Sequence, residues 1–170
     1  MANLPVRKNI RLKEYDYSQT GCYFITMCIK QRHEVLWDPA NVGARIARPL
    51  LSNIGDIVDK AIVNIPHIYE SIKVDNHVIM PNHIHMIMTT ENNHGRAMRA
   101  PTVSTVINQT KGYITKQVGY TIWQKLFHDH IIRDENEYLK IWKYIDENPM
   151  KWQEDCYYVK MSLFRHDPVD

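Results

Sequence analysis

Two pairs of residues in this chain have the types and spacing to do chemistry together. The first is His83-Ile84-His85, within the run Val78-Ile-Met-Pro-Asn-His-Ile-His-Met-Ile-Met88. In an extended strand, residues i and i+2 share a face. Both imidazoles then project from one side, while Ile84, Met86 and Met88 turn toward the core. Two imidazoles placed this way can chelate one divalent ion with little further ordering, because the strand already holds them. The same spacing serves equally for two histidines on the solvent face of a sheet. A second such pair, His128-Asp129-His130, reads as structural or substrate-facing rather than as another metal site.

The second pair is Tyr144 with Asn148. They lie in a segment whose apolar residues Tyr138, Ile141, Trp142 and Ile145 recur at helical spacing. Tyr144 falls roughly 110° from that stripe, and Asn148 follows one turn later on the same side. A phenol and an amide therefore stand together, off the core stripe. A phenol with a pKa near 10 is a poor nucleophile unless a metal or a base assists it. The pair reads either as an assisted nucleophile with a neighbouring amide, or as a packing residue near a helix end. Tyr113 and Tyr120 are rival nucleophiles on chemistry alone. Tyr138, six positions earlier, lies on a different face and cannot act as a twin of Tyr144.

The elements that must position these groups follow from periodicity and punctuation. Residues 22–29 are β-branched and aromatic after Gly21 and predict a buried strand, with 33–37 as a short returning strand. Residues 38–51, with Pro39, Gly43 and Pro49, predict a loop. Ser52 caps a helix whose stripe is Ile54, Ile57, Val58, Ala61, Ile62 and Ile65, and Pro66 is expected to stop it. Residues 72–80 and 83–89 predict two strands joined at Pro81-Asn82. Residues 91–101 predict a mobile loop, and 104–118 a second helix. Asp134, three residues before Glu137, marks the start of the last helix, and Pro149 closes it at Asn148. The order predicts an α+β domain: an antiparallel sheet with helices packed on it.

Bulk properties bound the answer. A chain of 170 residues with 44% apolar content can build one domain with a real core. No apolar run reaches a membrane span, and the basic N-terminus lacks the apolar segment of a secretory signal. Cys22, Cys28 and Cys156 are scattered without a C-x-x-C pair, which points to a reducing compartment, the cytoplasm, and away from disulfides or a cysteine zinc site. The net charge is only +2, but the basic residues are segregated. Arg7, Lys8, Arg11 and Lys13 precede any acid. Arg96, Arg99, Lys111, Lys116 and Lys125 fill an acid-free stretch between Glu91 and Asp129. Such segregation either gives one positive face for phosphates or is an ordinary solvated surface.

In combination these motifs resemble a known family. His83-Ile84-His85 follows Met80-Pro-Asn, and downstream come Ile122-Trp-Gln, Phe127-His-Asp-His-Ile-Ile-Arg133 and Tyr144-Ile-Asp-Glu-Asn-Pro149, after an opening Asn9-Ile-Arg-Leu-Lys-Glu-Tyr-Asp16. Their order and spacing resemble the REP-associated tyrosine transposases, which belong to the single-tyrosine branch of the histidine–hydrophobe–histidine endonucleases. The resemblance spans residues 7–158, with 159–170 as a tail of one domain covering 1–170. It implies a ferredoxin-like or RRM-like α+β fold and action on single-stranded hairpin DNA from palindromic repeats. It implies Tyr144 as nucleophile, His83 and His85 as ligands of Mg²⁺ or Mn²⁺, and the shorter amide Asn148 where related enzymes carry a glutamine ligand. It implies a 5′-phosphotyrosine intermediate and a monomer or homodimer. From the charge pattern, the basic residues named above are the candidate DNA contacts, and no membrane partner is expected. Two alternatives stay open: a hairpin-binding protein without turnover, and a metal-dependent nuclease in which water attacks.

Overall fold

The structure is a computed structural model that describes residues 21–41, 49–91 and 101–158. Within them, the β-branched and sulfur-rich runs form the centre of one antiparallel sheet. Strand β1 (Gly21–Cys28) pairs with β3 (His83–Thr90) on one side and with β4 (His128–Ile132) on the other. Strand β2 (Ile72–Ile79) pairs with the far side of β3, so the order across the sheet is β2-β3-β1-β4. Alternation then sorts the side chains. Tyr23, Ile25 and Met27 of β1 and Ile84, Met86 and Met88 of β3 enter the main core. The intervening residues face the opposite side.

Two helices cover the main core. Helix α1 (Asn53–Val63) starts at Ser52, whose hydroxyl accepts the Gly55 N–H, and contributes Val58, Ala61 and Ile62. Helix α3 (Val103–Val118) starts at Thr102 and contributes Val106, Ile107 and Ile114. Gly55 lies so near the chain that a Cβ on it would meet the Leu36 carbonyl oxygen at 2.1 Å. No larger residue fits there without moving the backbone.

Helix α4 (Glu135–Glu147) crosses the other face of the sheet. Its Asp134 cap accepts the Glu137 N–H, and Ile145 packs with Ile87 and Ile132, flanked by Phe24, Val78, Tyr138, Ile141 and Trp142. A hydrogen bond from Asn76 Nδ2 to Asp146 Oδ1 (3.0 Å) ties the helix to β2. A 3₁₀ segment (Asn148–Glu154) continues it and buries Trp152 against Trp37 and Met80. The fold is an α+β sandwich of helix pair, sheet and terminal helix, with the β-α-β-β-α-β order of ferredoxin-like domains.

Three expectations change. Residues 33–37 do not form a strand; a 3₁₀ turn (Lys30–Arg32) follows β1, and Trp37 makes only an isolated bridge to Leu51. Pro66 does not stop a helix. The break falls at Asn64, and Pro66 sits in the first turn of a short helix α2 (Ile65–Ile68), where its missing N–H costs nothing. Pro149 likewise does not stop the chain's turning: Asn148 keeps helical φ and ψ (−56°, −44°), and Pro149 sits at the start of the 3₁₀ segment. The edge strand β4, which carries His128 and His130, was not foreseen, being too short and too polar for its pattern to stand out. The loop expected at 91–101 lies, from residue 92 to 100, outside the described residues.

Candidate functional site

Strand β3 turns His83 and His85 to the face under α4, opposite Ile84 and Met86 in the main core. Neither reaches solvent. Their residues are 0% and 2% exposed, because α4 and the 3₁₀ segment close over that face. The cross-strand row containing His85 runs Val78, His85, Thr26, His128 from β2 to β4.

Each ring is fixed by its Nδ1. Asn82 Nδ2 donates to the carbonyls of Arg32 (3.3 Å) and Tyr157 (2.9 Å), so its side-chain oxygen must be the atom facing His83 Nδ1 at 2.9 Å. A proton on that Nδ1 follows, which leaves a lone pair on His83 Nε2. His85 Nδ1 lies 2.8 Å from the Thr26 hydroxyl, which can donate or accept. The two Nε2 atoms then face each other at 3.0 Å. Burial lowers both imidazoles to a pKa of about 3, with the Arg32 charge adding to the effect on His83 and the His83 ring adding to it on His85. Both are neutral at physiological pH, the form that binds metals.

Tyr144 arrives from the opposite end of the chain. Its hydroxyl lies 3.2 Å from His85 Nε2 and donates to Asp155 Oδ2, also at 3.2 Å. The ring sits edge-on to Phe24, at 6.1 Å between centroids, and Phe24 stacks on His85 at 5.0 Å. Burial raises the Tyr144 pKa above the ordinary phenol value, and the Asp155 carboxylate raises it further. Asn148 follows on the same side, 2% exposed, its amide near enough to the Tyr144 hydroxyl to oppose part of that rise, but with neither amide atom in a well-formed hydrogen bond. Tyr144, Asn148 and Asp155 line one cavity of about 190 Å³, together with Glu147, Lys151 and Glu154. A buried amide with neither atom paired costs about 1–3 kcal/mol per group, so the cavity suits a ligand that would pair with it.

Asp155 carries no signal in the sequence. It follows the 3₁₀ segment, and its place depends on remote ties. Arg32 Nη1 donates to the Cys156 carbonyl (3.1 Å), Asn82 Nδ2 holds the Tyr157 carbonyl, and the Tyr157 ring lies 4.5 Å from that of His83. Gln31 and Arg32 adopt φ of 56° and 57°, a left-handed conformation that non-glycine residues take at a cost. That turn aims the Arg32 side chain at this strap. His83, His85 and Asp155 offer ligand atoms within 4.8 Å of one another, and theirs is the one such cluster among the described residues.

The other candidates separate. Arg7, Lys8, Arg11, Lys13, Arg96 and Arg99 lie outside the described residues. Lys116 and Lys125 are exposed. Lys111 is a correction: it is 7% exposed, and its ammonium donates to the carbonyls of Gln124 and Leu126 (3.1 Å each) over the rings of Trp123 and Phe127. It braces the chain entering β4 and is not a surface contact for phosphate. His128 and His130 are exposed, His130 paired with Glu137 at 2.7 Å. Cys22, Cys28 and Cys156 are free thiols. No described helix is long and apolar enough to cross a membrane.

No family model matches the chain. The fold is similar to that in the structure of a REP-associated tyrosine transposase bound to a REP hairpin, with a TM-score of 0.58 and 21% identity over 84% of this chain and 74% of that one. At that identity the likeness establishes the fold. An uncharacterized protein of Haemophilus influenzae is 33% identical over 178 residues, covering 93% of this chain and 96% of its own. With that identity over nearly the full length of both, the chain belongs to the same family as the Haemophilus influenzae protein.

Proposed function

We propose that the protein is a transposase-like enzyme that nicks and rejoins single-stranded hairpin DNA, with Tyr144 as nucleophile and a divalent cation held by His83 and His85. The observation that carries this reading is the 3.2 Å separation of the Tyr144 hydroxyl from His85 Nε2, between groups 59 residues apart in sequence. A packing tyrosine has no need to meet a buried histidine pair. The likeness to a fold seen bound to a REP hairpin supports DNA as the partner.

The residues present fit a cation. His83 Nε2 bears a lone pair, and the two Nε2 atoms face each other at 3.0 Å, close enough for both imidazoles to share one ion. Both outer nitrogens are engaged by side chains, as in oriented metal-binding imidazoles. Mg²⁺ or Mn²⁺ is the ion the family resemblance implies. When bound, the cation draws charge from a phosphate oxygen and stabilises the charge that develops in the displacement.

The chain's own residues do the rest. The Tyr144 oxygen attacks phosphorus as its hydroxyl proton passes to solvent, and the departing 3′ oxygen takes up a proton from solvent. The tyrosyl O–P bond forms as the bond to the 3′ oxygen breaks, leaving a 3′-hydroxyl and a 5′-phosphotyrosine. A different 3′-hydroxyl reverses the step and returns the proton, so strands are exchanged without a nucleotide cofactor. Asn148 offers its unpaired amide to the cavity beside Tyr144, as a further ligand or a phosphate contact. Lys116, Lys125 and the basic residues at 7–13 and 96–99 remain the proposed backbone contacts, which position DNA without reading its sequence. The whole chain, 1–170, is taken as one such domain.

The test is a covalent trap. Hairpin DNA with a single-stranded flank and Mn²⁺ should yield a protein–DNA adduct that Tyr144→Phe cannot form. An adduct from that variant would refute the assignment of the nucleophile. Cleavage with no protein attached would point to attack by water, and binding indifferent to chelator and to Tyr144→Phe to a protein without turnover.

A further inference from the structure

Asp155 has no part in the chemistry assigned to Tyr144 and the two histidines, yet its side chain is only 2% exposed and is aimed at them. Its Oδ1 accepts the Tyr157 N–H at 2.7 Å, which fixes the plane of the carboxylate. Its Oδ2 then lies 3.2 Å from the Tyr144 hydroxyl and 4.0 Å from His83 Nε2.

The geometry brings three donor groups to one point. His83 turns its Nδ1 to Asn82 and its Nε2 inward, where it faces His85 Nε2 at 3.0 Å. Ligand atoms of His83, His85 and Asp155 all lie within 4.8 Å of one another. Two imidazole nitrogens and a carboxylate oxygen meeting beneath a covering helix have the donor set of a divalent-cation site. Among the described residues, the basic group within 4.0 Å of the Asp155 carboxylate is His83.

We propose that Asp155 is the anionic third ligand of the cation held by His83 and His85. The inference rests on the metal-dependent reading of that pair. Two imidazoles and one carboxylate then bind the ion, and the cavity lined by Tyr144 and Asn148 is the side left for phosphate. Asn148 keeps its amide for the substrate. Imidazole-rich donor sets favour borderline ions, so Mn²⁺, Co²⁺ or Zn²⁺ should bind more tightly than Mg²⁺.

The experiment measures Mn²⁺ binding to the full chain without DNA, by the loss of the free-ion electron paramagnetic resonance signal. Asp155→Asn keeps the shape and an acceptor for the Tyr157 N–H, so its metal-free melting temperature should match the parent. Its Mn²⁺ affinity should fall by about tenfold or more, as should that of Asp155→Ala, while Asn148→Ala and Tyr144→Phe stay within about twofold. Undiminished Mn²⁺ binding in Asp155→Asn overturns the proposal, as does a loss in Asn148→Ala equal to that in Asp155→Asn. Binding that depends on Asp155 without any DNA adduct would sink strand transfer and leave the ligand standing. An adduct formed by a protein whose Mn²⁺ binding ignores Asp155 would do the reverse.

Discussion

Asn82 holds the imidazole of His83 through the side-chain oxygen that its own amide nitrogen forces into place. The nitrogen is committed to two backbone carbonyls, Arg32 and Tyr157, so the oxygen meets His83 Nδ1 at 2.9 Å. One residue thus selects the tautomer of a proposed ligand and anchors the strap that carries Asp155. Asn82→Ala should weaken Mn²⁺ binding by about 10- to 100-fold, the usual effect of losing an outer partner of a metal-bound histidine. Titration calorimetry checks it, and an unchanged affinity would mean the tautomer is not set by Asn82.

Thr26 plays the matching part for His85, across the sheet from β1 (2.8 Å). Thr26→Val keeps the shape and removes the hydroxyl, whereas Thr26→Ser keeps the hydroxyl and removes a methyl. Valine should lower both Mn²⁺ affinity and adduct yield by about tenfold, and serine should largely restore them. Equal losses in the two variants would point to packing instead.

Gly55 allows α1 to touch the Leu36 carbonyl, which also accepts the Ser52 N–H at 3.0 Å. Gly55→Ala forces a Cβ into that oxygen. A loss of about 1–3 kcal/mol is expected in urea denaturation, the usual cost of overpacking. Because Leu36 N–H also holds the Pro81 carbonyl (3.0 Å), the shift should propagate to the turn before His83. Wild-type stability in Gly55→Ala would show that the loop yields freely.

Lys111 makes stability depend on pH with a definite sign. Burial lowers its pKa from 10.5 to about 8. Between those values the unfolded chain binds more protons than the folded one, so folding gains stability as pH rises through the window. The penalty of burying the ammonium is fully present below pH 8. Relative to Lys111→Met, which lacks the titration, the wild type should gain stability from pH 8 to 10. Lys111→Met should lose about 1–3 kcal/mol at pH 7 if the two carbonyls it abandons stay buried. A pH-independent difference between the two proteins would place the ammonium in solvent.

The local sequence settled much of this protein. Alternation along 83–88 put both histidines on one face because a strand has period two. The start of α4 could be read from Asp134 and Glu137 because a cap acts within one turn, whereas Pro149 did not end the turning, since its ring fits the first turn of the 3₁₀ segment that follows. Where the signal was short or polar the reading failed: β4 is five residues with two histidines and an aspartate, and its pairing comes from β1 rather than its own pattern.

Only the tertiary structure decided whether those histidines meet solvent or a hydroxyl. Nothing in His83-Ile-His85 dictates that a helix starting 50 residues later will cover them. That follows from α4 burying Ile145 against Ile87 and Ile132, on the sheet face that α1 and α3 leave free. Lys111 was misjudged for the same reason, since charge along a chain does not tell which side a helix turns inward. Asp155 was invisible because what holds it is remote, an arginine in a left-handed turn and an asparagine before β3. Periodicity, caps and turns act over a few residues and are written locally. The meeting of groups from distant segments is a property of how buried faces find one another.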